Sequence, residues 1–229
     1  MKTSHIVFVM LFLLSSFSVS AQSVEIRKLP TFRQLTTSGS WDVVIVEGDR
    51  EEVRLEAKIL NLERVITEVE NGRLNIRLEK GNYRNVDLKV TVIYQELEAI
   101  HSGGSGNIKG MDAIVADELK VSLSGSGNAS FKKMIADRLD LSMSGSGDLT
   151  IRGGAVGDLT LNQSGSGNLN AVDLGVEDAK IHKSGSGNAV LTVTESLDVK
   201  ASGSGKVDYK GNPSLNDIRV SGSGRIVKR

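Results

Sequence analysis

From residue 97 onward, apolar side chains fall on every second position in short runs, and the runs recur about every 20 residues. The runs are punctuated by Ser-Gly-Ser-Gly, starting at residues 124, 144, 164, 184, 202 and 221; a variant, Gly103-Gly104-Ser105-Gly106, lies one step upstream. Let the residue after each tetrad be position 0. Position −7 is then Ile100, Val121, Leu141, Leu161, Ile181, Val199 and Ile218. Position +1 is Ile108, Ala129, Leu149, Leu169, Ala189, Val207 and Ile226. Positions −9 and +3 are also mainly apolar, while the even positions between are mostly Lys, Asp, Ser, Thr and Arg. Alternate residues of a strand share a face. The odd positions therefore form one apolar face, rewritten seven times.

The glycines at −3 and −1 share that inward phase and fall where one strand must give way to the next. Glycine there lets the backbone of one coil approach the backbone of its neighbour. This pattern predicts an all-β, right-handed parallel β-helix with about 20 residues per coil. Like residues would stack in columns about 4.8 Å apart, and no coil would bury its apolar face alone. Leucine-rich repeats share the period but need a helical segment and a different Leu/Asn spacing. Propeller blades need about twice the period, and calcium-binding nonapeptides need about nine residues with an Asp after the glycines.

Residues 24–96 lack the period but keep strand patterning. Val43 and Ile45 alternate, as do Val53, Leu55 and Ala57, with a turn at Glu47-Gly48-Asp49-Arg50. Asn71-Gly72 is a two-residue hairpin signal; it sets Val69 against Leu74, Thr67 against Ile76 and Val65 against Leu78. Val86, Leu88, Val90, Val92 and Tyr94 read as a further strand, and residues 59–64 as a short helical turn. This region is expected to cap the first coil, whose open edge would otherwise invite pairing with another chain. A more distant copy of the repeat is Ser38-Gly39-Ser40-Trp41-Asp42. At the other end, Arg225, Lys228 and Arg229 place charge on the last strand.

Lys2, the apolar run Ile6–Leu14 and Val19-Ser20-Ala21 read as a secretory signal peptide over residues 1–21, cleaved before Gln22. One domain, residues 22–229, is expected to follow: the β region 24–96, then seven coils over 97–229. The run is too short to span a bilayer, which takes about 20 residues. No stable membrane insertion is expected after cleavage, and the protein would be periplasmic, cell-surface or extracellular.

The 229 residues carry 28 basic and 28 acidic side chains, so no global charge favours nucleic acid. There is no cysteine, which removes disulfides, thiolate metal sites and catalytic thiols. With Phe8, Phe12 and Phe17 in the signal, six of nine aromatics remain, and Trp41 and Tyr209 read as inward-facing. Few platforms for sugar stacking are left.

The residues resemble a known family, the bacterial auto-transporter adhesins with a head GIN domain. The resemblance rests on Ser38-Gly39-Ser40-Trp41-Asp42-Val43, the Asn71-Gly72 hairpin, the Ser-Gly-Ser-Gly-Asn/Asp repeats and the closing Tyr209-Lys210-Gly211-Asn212-Pro213. It implies a secreted or envelope β-helix, and the family's name implies adhesion. It supplies no catalytic residue to carry over.

No cofactor, metal or catalytic group is predicted. His101 and His182 both sit at −6, four repeats apart, so they would lie about 19 Å from each other. Outward acids such as Asp140, Asp158, Asp198 and Asp208 read as scattered over several faces. The serines at −4 and −2 and the residues at position 0 form a polar stripe if strand parity continues through the bend. Ser126, Asn128, Ser146, Asp148, Ser166, Asn168, Ser186 and Asn188 are the candidate contact surface, for a surface glycan or a protein partner. The same groups would equally serve to satisfy the bend's own backbone. The leading expectation is a non-catalytic, exported contact protein. The alternatives are an enzyme acting on envelope polysaccharide and a purely structural envelope module.

Overall fold

The computed structural model describes residues 22–229; the expected signal peptide and its cleavage site lie outside them. The chain forms one 17-stranded sheet wound into a parallel β-helix. Its strands are β1 (Ser23–Lys28), β2 (Gln34–Gly39), β3 (Asp42–Glu47), β4 (Glu52–Ala57), β5 (Val65–Glu70), β6 (Arg73–Leu78), β7 (Lys89–Tyr94) and β8 (Ala99–Gly104). The longer coil strands follow: β9 (Ile108–Gly125), β10 (Ala129–Met143), β11 (Leu149–Ile151), β12 (Gly154–Gly165), β13 (Leu169–Gly185) and β14 (Ala189–Gly203). The last three are β15 (Val207–Lys210), β16 (Ser214–Ser221) and β17 (Ile226–Lys228).

Coils stack in register. Leu139 pairs with Leu119 and Leu159, Leu159 with Ala179, and Ala179 with Leu197. The expected inward column at −7 is buried through the middle coils: Val121, Leu141, Leu161, Ile181 and Val199 expose 1% or less of their surface. A single turn, residues 129–147, reads as three inward runs. These are Ala129 to Phe131, Met134 to Ala136, and Leu139 to Met143. Exposed pairs separate them at Lys132-Lys133 and Asp137-Arg138, and the tetrad closes the third corner. Strict alternation therefore holds within each side but resets at two of the three corners. That resetting is what lets one strand direction wrap around a core.

The N-terminal region is part of the stack as well as its cap. Ser38-Gly39 pairs with Gly103-Gly104, and β3 pairs with both β9 and β7. The Ser38 repeat is thus the level beneath the first tetrad. Two antiparallel extensions cover it. β6 lies on β2 and hairpins into β5 with the expected register, Val69 to Leu74, Thr67 to Ile76 and Val65 to Leu78. Asn71 and Gly72 both take positive φ, as this two-residue turn requires. On the other side β7 pairs antiparallel with β4, which pairs with β1. A 3₁₀ turn occupies Leu62–Arg64.

One strand boundary differs from the pattern. β7 begins at Lys89, so Val86 and Leu88 precede it. Asp87 is the reason: its carboxylate accepts backbone N–H groups of Lys58, Ile59 and Leu60, which holds residues 86–88 as a loop clasp rather than a ladder. Those bonds lower the Asp87 pKa against a smaller-than-combined desolvation effect that raises it.

Among the described residues no further coil lies on the last one. Leu215, Ile218 and Val220 expose 50%, 39% and 41%, whereas Leu197 and Val199 one level below expose 0%. Two of the three terminal charges are engaged: Arg229 pairs with Asp208, and Lys228 Nζ donates to Asn212 at 2.8 Å.

Candidate functional site

The tetrad corner is built backbone on backbone. Ser146 N–H and Gly147 N–H both donate to the Gly125 carbonyl, at 2.9 and 3.2 Å, and Ser166 N–H donates to Gly145 at 2.9 Å. A Cβ at Gly147 would come under 3.0 Å from the Gly127 carbonyl oxygen, and one at Gly145 would do the same to Gly125. Positive φ falls on the first glycine of several tetrads, for example Gly185 at 116°, and not on the second.

Parity does continue through this corner. Ser126, Ser146, Ser166 and Ser186 are exposed, while Gly147, Gly167 and Gly187 are buried. Among the described residues none of those four hydroxyls has a hydrogen-bond partner within the protein. The position-0 residues behave differently. Asn128 N–H donates to Asn107 Oδ1 at 3.0 Å, Asp148 N–H to Asn128 Oδ1 at 2.9 Å, and Asn168 N–H to Asp148 Oδ1 at 2.7 Å. Asn188 N–H donates to Asn168 Oδ1, and Lys206 N–H to Asn188 Oδ1, each at 2.9 Å. The ladder starts below the tetrads, where Asp42 Oδ1 accepts from Asn107 N–H at 3.0 Å. Each side-chain oxygen satisfies the next coil's backbone. The eight candidate residues therefore lie on one edge and split into two kinds: free serines, and Asn or Asp whose Oδ1 is already committed.

The interior beside this corner holds two polar residues that the pattern did not flag. Position −5 runs Leu123, Met143, Gln163, Lys183, Ala201 along the inward phase. Gln163 exposes 2% and Lys183 3%. Gln163 Nε2 donates to the Gly167 carbonyl at 2.6 Å and the Asn188 carbonyl at 3.2 Å, while its Oε1 is buried without a partner. Among the described residues Lys183 Nζ has only the Gly185 carbonyl, at 3.5 Å, and no carboxylate. Burial pushes its pKa down. A lone Lys at an odd position among apolar residues was the available signal.

A second feature lies at the Asp137-Arg138 corner. A groove of about 1150 Å³ runs along the stack there, from Arg33, Glu96 and Glu98 at the first level to Thr194. Val115, Ile135, Ala155 and Gly175 line it as one apolar row, its floor, and Asp117, Asp137 and Glu177 line it as an acidic row beside that one, its rim. The histidines are apart from it. His182 is exposed, and His101 is half-buried, its pKa pushed down by burial and by the Arg73 charge. Among the described residues no three His, Cys, Asp or Glu groups gather as a metal site.

Stacked 20-residue coils, a double-glycine corner and an Asn/Asp ladder define a parallel β-helix repeat protein. The chain belongs to the family described as "putative auto-transporter adhesin, head GIN domain", whose model matches residues 31–213. Solved structures with the same fold include a putative adhesin from Bacteroides fragilis, 21% identical, with a TM-score of 0.84 and coverage of 91% of this chain and 97% of that one. A putative lipid binding protein from Parabacteroides distasonis is 22% identical, with a TM-score of 0.70 and coverage of 91% and 96%. A putative adhesin from Parabacteroides merdae is 18% identical, with a TM-score of 0.69 and coverage of 91% and 96%. At these identities the likeness concerns the fold. No curated protein matches the chain.

Proposed function

We propose that this is a non-catalytic, exported protein of the cell envelope that works by surface contact, in keeping with the adhesin names of its family and neighbours. The tetrad edge carries the reading. Its serine hydroxyls recur coil after coil, exposed and without internal partners, over a backbone held by the ladder. A rigid row of free donors and acceptors suits a repetitive partner, such as a surface glycan or an extended protein, because little ordering entropy is lost on binding. Among the described residues no helix is long and apolar enough to cross a membrane.

The groove gathers carboxylates on one face, which an enzyme acting on envelope polysaccharide would also need. Its lining includes no aromatic residue and no histidine, and its nearest arginines, Arg33 and Arg138, are already paired with Glu96, Glu98 and Glu118. These features favour contact over turnover. The test is a screen of the purified protein against glycan and matrix-protein arrays, run beside a reducing-end assay on envelope polysaccharides. Saturable binding that weakens when Ser126, Ser146, Ser166 and Ser186 become alanine, with no new reducing ends, is expected. Release of reducing ends would overturn the reading in favour of an enzyme.

A further inference from the structure

The repeats place like charge on like charge in one column. Position −11 is Asp117, Asp137, Gly157, Glu177 and Glu195 in successive coils. The register around it is continuous, since Ala116 pairs with Ala136, Glu118 with Arg138, Val156 with Val176 and Asp158 with Asp178. Asp117 and Asp137 are therefore neighbours in adjacent strands, about 4.8 Å apart along the stack. Like charges directly opposite on adjacent strands oppose folding. Asp117, Asp137 and Glu177 are all exposed. Among the described residues none of the three has an ion-pair or hydrogen-bond partner in the groove, where Arg138 is taken by Glu118 and Arg33 by Glu96 and Glu98. The chain as a whole is neutral, with 28 basic and 28 acidic side chains, so this acidic column is segregation and not a reflection of bulk composition.

The same groove has an apolar floor. Val115 exposes 62% of its surface, and Ile135, Ala155 and Gly175 follow it in the adjacent coils. A free cation would use the rim and ignore the floor. A sugar would want an aromatic platform, which the lining lacks. An extended polypeptide with alternate cationic and apolar side chains would use both, because its period-2 alternation turns one set to the floor and leaves the other to the rim. From the level of Glu98 to that of Ser196 there are five steps between coils, about 24 Å, which is about seven extended residues.

We propose that this groove is a docking site for an extended segment of a partner protein in which lysine or arginine alternates with apolar residues. The site is distinct from the serine edge, and it rests on the contact reading only in requiring a partner. Asp117, Asp137 and Glu177 hold the cationic side chains, and Val115, Ile135 and Ala155 receive the apolar ones.

The test is fluorescence anisotropy with a labelled octapeptide of alternating Lys and Val, with a Glu/Val octapeptide as its opposite. The wild-type protein should bind the first saturably, with affinity falling as salt rises, and should not bind the second. The triple variant D117N/D137N/E177Q should weaken binding at least tenfold, and its melting temperature should hold or rise because like-charge repulsion is relieved. The triple variant D49N/E70Q/D173N makes the same change of charge outside the groove and should stay within twofold of wild type. An absence of saturable binding would overturn the proposal, as would equal weakening by both variants. A linear polyamine that displaces the peptide as well as an unlabelled copy does would also overturn it, since the floor would then contribute nothing. These results are independent of the serine-to-alanine screen, so either reading can fail alone.

Discussion

Two corners of the same coil have opposite sequence habits. The tetrad corner repeats almost without change, Gly-Ser-Gly at 145–147, 165–167 and 185–187. The groove corner drifts, with Val115, Ile135, Ala155 and Gly175 in one column. The difference follows from what each corner packs against. At the tetrad, backbone meets backbone, and a Cβ on either glycine would fall under 3.0 Å from the carbonyl oxygen of the coil beneath. At the groove, the varying side chain faces outward, and a Cβ built on Gly175 meets nothing closer than the Gly154 carbonyl oxygen at 3.7 Å. Repetition marks steric necessity here, and drift marks a surface free to be adapted to a partner.

Exchanging side chains between the corners should give the largest effect. Gly147→Val drives a branched side chain into the Gly127 carbonyl and should cost about 3 kcal/mol or more, the upper range of overpacking, because the clash is with backbone that cannot turn aside. Coils couple to their neighbours, so the loss should spread along the stack. Gly175→Ala has room and no positive φ, and should be neutral or stabilising by up to about 1 kcal/mol through the unfolded chain. Chemical denaturation of the two variants side by side decides it. Equal losses would mean that the groove floor is as tightly built as the tetrad.

Next in size is the polar interior behind the tetrad corner. Lys183→Met restores the kind of residue found two coils below, Met143, and removes an ammonium group that has no carboxylate. It should stabilise by about 1–3 kcal/mol. The pH dependence has a definite sign. The folded protein holds Lys183 below its ordinary value of 10.5, so between the two values the unfolded chain binds more protons. Wild-type stability should therefore rise with pH over the interval just below 10.5, and Lys183→Met should flatten that slope. Denaturation midpoints from neutral pH upward would show it. A loss of stability on replacement would mean that Lys183 holds the corner carbonyls more firmly than one 3.5 Å contact implies.

Much of this was legible before any coordinates. The hairpin register about Asn71-Gly72 follows from two turn residues and one apolar phase. The coil period follows from the tetrads, because alternation continues through that corner. What stayed hidden lies where alternation breaks. At Asp137-Arg138 two successive residues are exposed, so odd positions beyond −9 change sides. Aligning odd positions as inward kept Asp117, Asp137 and Glu177 from standing out as an outward column. Lys183 was hidden for the opposite reason, since its phase is inward while its chemistry reads as outward. Asp87 shows a third limit. A carboxylate that caps three N–H groups ends a strand that apolar spacing alone would extend to Val86. At position 0 the residue type was plain, but its use depended on which coil supplied the donor.

The ladder gives a more modest prediction. Asn168→Ala removes the acceptor for the N–H and Nδ2 groups of Asn188, at 2.9 and 3.1 Å, and the donation of its own Nδ2 to Asp148 at 2.9 Å. The corner is exposed, so water replaces part of this, and a cost of about 1–1.5 kcal/mol is expected. Asn168→Asp keeps the acceptor for Asn188 but loses the donation to Asp148 and sets a second carboxylate opposite it, so it should recover only part of the loss near neutral pH and more of it at high salt. If alanine and aspartate stay equally damaging at high salt, where the repulsion is screened, the role of Asn168 lies in its amide nitrogen.

The smallest effect should come from the serines. Ser146 shares the tetrad with Gly147, yet its side chain is exposed and its hydroxyl has no partner among the described residues, while its backbone N–H makes the bond to Gly125 at 2.9 Å. Alanine keeps that N–H and loses only the hydroxyl. The expected cost is under about 0.5 kcal/mol, the ordinary range for a surface substitution away from special features. Denaturation of Ser146→Ala beside Gly147→Val thus compares adjacent residues with expected costs that differ several-fold. If the serine change proved as damaging as the valine, the hydroxyls would belong to the structural ladder and the edge would have no free donors to present. If stability is unchanged while array binding falls, the serines serve contact and not folding.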